Sequence, residues 1–294
     1  MTAERPAPPA SSDAPPVVSA KDAAPPEAAK IALEYLSGKV KKPAGDVLLL
    51  SVLAGAYIAF GSILYIVTSA GGGAYSGPQH LIAGASFAVG LVLVVIAGAE
   101  LFTGDTMLVI NRMRDTLDAA TMWRFWALVY GGNLVGALLI AALFVAAGGH
   151  MPGEGAVGLS ALEIAATKTG KGWVALLAGG ILANMLVCLA IWVTQAARTV
   201  PGKILALLLP VAAFVAAGFE HSVANMSIIP IALLVKAFAA PEFWTGISHT
   251  AADFPTVTLG GFVRNLVVVT LGNIFGGASI GLSYWFAYLK KRDA

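Results

Sequence analysis

From Asp46 onward, apolar positions gather into six long stretches, at approximately 47–70, 80–110, 123–148, 172–197, 203–236 and 262–289. A bilayer crossing takes about 20 residues of helix, so each stretch predicts a span. The second and fifth are too long for one straight crossing, and each carries a polar cluster in its middle. Both predict a broken helix. Ahead of them, residues 1–29 hold seven prolines and many alanines with no large apolar run, which predicts a disordered tail and not a signal peptide. Within residues 27–42, Leu33, Leu36 and Val40 recur at helical spacing and Ile31 and Tyr35 lie one turn apart, with lysines on the flanks. That segment reads either as a helix lying on the membrane surface or as a plain connector. The expected organisation is a cytoplasmic tail over 1–29, an interfacial helix over 30–45, a six-span body over 46–290 and a cytoplasmic C-terminus over 291–294.

Composition agrees with a polytopic membrane protein. Apolar residues make up 58% of the chain and charged residues 12%, against about 25% charged in soluble domains. A net charge of +2 is too small for a phosphate-binding surface, so no nucleic-acid partner is expected. The single cysteine, Cys188, excludes a disulfide framework and a cysteine metal site. Cations set the orientation. Arg5, Lys21, Lys30, Lys39, Lys41 and Lys42 precede the first span, and Arg112, Arg114, Arg124, Arg198, Lys203, Lys290, Lys291 and Arg292 fall on the same side of an even-numbered bundle. Only Lys168, Lys171, Lys236 and Arg264 fall opposite. The excess places both termini in the cytoplasm.

The two halves of the body repeat each other. LAGAYIA (Leu53 to Ala59) pairs with LAGGILA (Leu177 to Ala183), GAELFTGDTM (Gly98 to Met107) with GFEHSVANM (Gly218 to Met226), and GNLVGA (Gly132 to Ala137) with GNIFGGA (Gly272 to Ala278). Three spans per copy is an odd number, so the second copy enters the membrane inverted. Such repeats place a substrate path at their interface, where broken helices supply polar backbone. Gly55, Gly61, Gly131, Gly132, Gly136, Gly179, Gly180, Gly272, Gly276 and Gly277 are expected at close helix contacts.

Ionisable groups inside spans are costly and therefore mark candidate sites. Here they are Glu100, Asp105, Glu220 and His221. Each glutamate stands just before a break, where it can accept hydrogen bonds from freed backbone N–H groups, so both read as structural braces. His221 lies at the second break among apolar residues. It can hold or give a proton near neutral pH, and an entering anion favours its charged form. His80, His150 and His249 make no ligand pair at helical spacing, and no HExxH or phosphate-loop pattern is present, so neither metal nor cofactor is expected.

GAELFTGDTM together with GFEHSVANM and the following Pro230, and GNIFGGASIGLSYWFAYL near the end, resemble the formate/nitrite transporter family over roughly residues 40–290. The resemblance implies an all-α membrane protein with an aquaporin-like fold: six spans in two inverted three-helix repeats, with helices two and five broken. It implies a homo-pentamer in a bacterial inner membrane with one pore per protomer, and a small anion as cargo, formate foremost, with nitrite and hydrosulfide as alternatives. It implies constrictions at Phe87, Leu91, Leu101, Phe214 and Ala224, with His221 between them as the proton relay and Thr103 as its gate partner. Lys168, in ATKTGK, matches the lysine that draws anions, and Asn184 and Asn273 match polar positions beside the path. Taken without the resemblance, the Phe and Leu residues read as core or lipid-facing, Thr103 as a helix cap and Lys168 as an interfacial anchor. Two readings compete: a neutral-solute pore, against which the chain lacks an Asn-Pro-Ala pair, and a membrane enzyme, for which it lacks a nucleophile or metal constellation.

Overall fold

The computed structural model describes residues 21–71 and 76–290; the proline-rich residues 1–20 of the expected tail and the expected C-terminus 291–294 lie outside them. Every regular element among the described residues is helical. In order they are α1 (Pro25–Lys39), α2 (Ala44–Ser69), α3 (Gly77–Ala97), α4 (Phe102–Asp105), α5 (Val109–Met113), α6 (Ala119–Ala146), α7 (Ala156–Gly170), α8 (Trp173–Thr194), α9 (Val200–Ala216), α10 (Ser222–Phe238), α11 (Pro241–Ile247) and α12 (Leu259–Tyr284). Helices α2, α3, α6, α8 and α12 are each long and apolar enough to cross a bilayer. The remaining crossing is α9 followed by α10. Each has 17 residues, so neither meets the usual length alone, and the chain breaks between them at Ala217–His221. The other break, Gly98–Leu101, separates α3 from α4.

The stops and starts have local causes. Gly98 (φ +82°) and Gly218 (φ +67°) take the left-handed conformation that ends α3 and α9, which only glycine adopts without strain. Asp118, Thr199 and Thr258 cap α6, α9 and α12 by accepting the N–H groups of Thr121, Gly202 and Gly261. Three elements differ from expectation. Helix α1 begins at Pro25, inside the segment read as tail, and it packs onto protein through Ala28, Ala29, Ala32 and Leu36. Helices α7 and α11 lie in the connections on the side opposite the termini. They carry shorter or less apolar sequences than the spans.

Inverted duplication is visible in the packing. Helix α2 packs on α6 and α3, as α8 packs on α12 and α9. The close contacts correspond residue by residue. A Cβ on Gly136 would stand 1.9 Å from the Val52 carbonyl oxygen, and one on Gly276 2.2 Å from that of Ile181. Backbone-to-backbone approach of this kind compensates for the missing hydrophobic drive in lipid. Gly131 is different, with nothing near a would-be Cβ, so it is not one of these contacts. The contacts also correct the repeat's register in its first span. Val52 corresponds to Ile181 and Ser51 to Gly180, so LAGAYIA and LAGGILA do not superpose. Small-residue spacing recurs along any tightly packed helix, and the likeness of those two strings follows that spacing and not the duplication.

Candidate functional site

A broken helix in a membrane frees backbone groups that have no water to turn to. At the first break, Asn133 of α6 accepts the N–H of Phe102 at 3.0 Å and donates to the carbonyls of Ser51 (2.8 Å) and Glu100 (2.9 Å). At the second, Asn273 of α12 accepts the N–H of Ser222 at 2.8 Å and donates to the carbonyls of Gly180 (2.7 Å) and Glu220 (3.0 Å). The same three bonds are built twice. These asparagines take the freed N–H groups that sequence reasoning gave to the glutamates. Asn273 was expected beside the path, whereas Asn133 was missed. Its signal was the matched Gly-Asn pair of GNLVGA and GNIFGGA.

The glutamates hold lysines instead. Glu100 lies 2.8 Å from Lys39 and 2.6 Å from Lys42, and Lys39 also reaches Asp105 at 2.6 Å. Burial works against the charge on Lys39, but Asp105, Tyr35 and Glu100 outweigh it and hold its pKa well above the usual lysine value. On the opposite side, Glu220 accepts from Lys168 (3.1 Å), Lys171 (2.7 Å) and Asn225 (2.8 Å). Lys171 also donates to the Gly218 carbonyl at 2.7 Å. The two clusters differ in their pairing. Two cations face two carboxylates on the α1 side, whereas beside α7 two cations contact the single carboxylate of Glu220, and Glu163 lines the same space without an ion pair to either. Lys39, Lys42 and Lys171 were legible only as loop and flank cations.

The breaks meet at one contact. Thr103 Oγ1 lies 3.0 Å from His221 Nε2, and both side chains are buried. The ring's other nitrogen, Nδ1, accepts the backbone N–H of Ala224 at 3.0 Å, so His221 is the N-cap of α10. That bond fixes the tautomer. With Nδ1 an acceptor, the proton of the neutral ring sits on Nε2 and points at Thr103, whose own hydroxyl hydrogen is left for another acceptor. Asn184 fastens the arrangement by donating to the carbonyls of Thr103 (3.1 Å) and Asn273 (2.6 Å) and to Thr106 Oγ1 (3.0 Å).

Apolar side chains close in around the pair. Phe87 and Phe214 meet edge to face with centroids 5.7 Å apart, and Phe214 stacks on the His221 ring at 5.8 Å. Together with Ala224 they line a chamber of about 30 Å³ against His221. Leu91, one turn along α3 from Phe87, and Leu101, at the break, are buried but do not line this chamber. Outside it lies a vestibule of about 220 Å³ that reaches Lys168, Lys171 and Glu220. Lys168 lines both spaces. No cluster of metal-ligating side chains occurs among the described residues.

Residues 26–286 match the sequence family described as formate/nitrite transporter. The chain is 38% identical to the formate channel FocA of Escherichia coli (strain K12), over 90% of this chain and 94% of that one. It is also 38% identical to the nitrite transporter NirC of Salmonella typhimurium (strain LT2), over 82% of each. A solved structure, a pentameric formate channel with formate bound, superposes with a TM-score of 0.79 at 36% identity, covering 85% of this chain and 99% of that one.

Proposed function

This chain belongs to the formate/nitrite transporter family, and on that premise we propose that it carries small monovalent anions, formate foremost, across the membrane through a pore at His221. The observation that carries the reading is the Thr103–His221 contact between the two breaks, walled by Phe87 and Phe214 and opening toward Lys168. It is a multi-pass membrane protein working as a homo-pentamer in a bacterial inner membrane, with both termini in the cytoplasm, and it performs no covalent catalysis.

Lys168 and Lys171 meet anions entering the vestibule, where Lys168 also borders the inner chamber. The Phe87–Phe214 ring admits an anion only as it sheds water. Inside, loss of water favours the neutral members of a carboxylate–imidazole pair over the ions, although in bulk water formic acid is a stronger acid than imidazolium. The Thr103 hydroxyl, whose hydrogen the Nε2–H bond leaves free, is the donor that faces the anion, with His221 behind it. For His221 to pass a proton on, the ring must first hold two, and its Nδ1 then has to release the Ala224 N–H. The relay is therefore coupled to uncapping of α10. Leu91 and Leu101 form the second apolar ring on the cytoplasmic side, Ala224 completes the outer one, and Asn184, Asn273, Glu100 and Glu220 hold the breaks in place.

Uptake of formate and nitrite into proteoliposomes at external pH of about 5 and about 7, with His221→Ala in parallel, tests the reading. Formate carried faster at the lower pH, with that dependence lost in the variant, is the expected result. Passage of anions indifferent to pH and to the substitution would refute the relay, and absence of any anion flux would refute the transport reading. Nitrite is the second candidate cargo, because the identity to NirC equals that to FocA.

A further inference from the structure

Four residues line both the vestibule and the His221 chamber: Tyr65, Lys168, Val215 and Gly218. They form the septum between the two spaces. A chamber of about 30 Å³ holds one or two water-sized groups, so a hydrated anion does not fit and water is exchanged for protein donors at the septum. Only two of the four residues carry a polar side chain. Lys168 is already engaged with Glu220 at 3.1 Å. Tyr65, half-buried near the end of α2, makes no side-chain hydrogen bond among the described residues, although its ring sits within the field of Glu220. A half-buried phenol usually finds a partner for its hydroxyl. Here the space in front of it is the path of the cargo.

We propose that Tyr65 is a substrate-binding residue of the outer septum, donating its hydroxyl to one oxygen of a small planar oxyanion while Lys168 holds the other. This rests on the transport reading above. The consequence is a handover: the anion leaves the lysine for the phenol, then meets the Thr103 hydroxyl that His221 holds in place. The hydrophobic part of the ring meanwhile keeps the passage dry.

The test is Tyr65→Phe, which keeps the ring and removes the donor, assayed by formate uptake into proteoliposomes. A hydrogen bond to a charged partner corresponds to about a tenfold effect, so KM for formate rises about tenfold while kcat stays within about twofold and the pH profile keeps its shape. Replacing Tyr65 with 3-fluorotyrosine, a stronger donor of nearly the same shape, lowers KM below that of the native protein. An unchanged KM in Tyr65→Phe, or a fall in kcat alone, overturns the proposal while native uptake keeps the transport reading intact. Should the native protein carry no anion, the transport reading itself fails, and this proposal with it.

Discussion

Replacing Asn273 by Ala removes three hydrogen bonds at the second break. The N–H of Ser222 loses its acceptor in the first turn of α10, and the carbonyls of Glu220 and Gly180 lose a donor. These losses are unequal. Gly180 lies within α8 and keeps its helical bond, whereas Ser222 and Glu220 are fully buried at the break. An orphaned buried group costs about 1–3 kcal/mol, while interhelical bonds in bilayers average only about 0.6 kcal/mol when deleted. Three bonds with two true orphans therefore give a loss of about 2–4 kcal/mol, or roughly a 30- to 1,000-fold drop in the folded-to-unfolded ratio. Asn273→Leu, which refills the volume without the donors, separates bond loss from a cavity and is expected to cost about as much as Ala. Asn133→Ala should match it to within about 1 kcal/mol, since it removes the same three bonds from the other half. Unfolding in mixed micelles titrated with SDS, followed by tryptophan fluorescence, measures all three. If both Asn273 variants stay within about 1 kcal/mol of the native protein, the asparagines do not hold the breaks and the reasoning fails.

Other outcomes follow from the same geometry. His221→Asn keeps a side-chain acceptor for the Ala224 N–H, so it should fold with stability within about 1 kcal/mol of native yet lose pH-dependent uptake; His221→Ala should lose a further 0.5–2 kcal/mol or about that range from the missing cap, read by the same SDS titration. Lys39→Met leaves Glu100 and Asp105 buried with less compensation and should cost about 3–5 kcal/mol. Because the Lys39 pKa is raised above its unfolded value near 10.5, its contribution is complete below that pH and is lost only as pH rises through the higher folded value; a native-minus-Met stability difference that shrank below pH 9 or so through loss of the lysine's charge would contradict this. Gly277→Ala would place a Cβ 1.8 Å from Thr106 Oγ1 and 2.7 Å from Asn184 Nδ2, so it should destabilise the fold and reduce uptake, and a fully active Gly277→Ala protein would show that α12 stands further from the first break.

Much of this architecture is legible in hydropathy, because a lipid solvent demands long apolar helices and leaves little else to choose. All six stretches became crossings, and both breaks fell at the paired Gly-x-Glu strings, where glycine takes a left-handed turn. The partners of the glutamates were not legible. Lys39 and Lys42 sit dozens of residues before Glu100, and Lys168 and Lys171 as far before Glu220, so only the fold brings them together. Tyr65 was silent for another reason: a tyrosine near a span end has the composition of an interfacial anchor, and only the cavities on both sides of it distinguish it from one.

The doubled asparagine arrangement also has a consequence for how the protein is made. Asn133 leaves the ribosome 31 residues after Phe102, and Asn273 51 residues after Ser222. Each interrupted helix therefore reaches the bilayer ahead of the residue that satisfies it. Insertion one helix at a time would strand bare peptide groups in hydrocarbon, so each broken span and its successor should leave the translocon together. A chain truncated before α12 would hold its second interruption open indefinitely, presenting quality-control proteases with an intermediate the complete chain passes through only briefly.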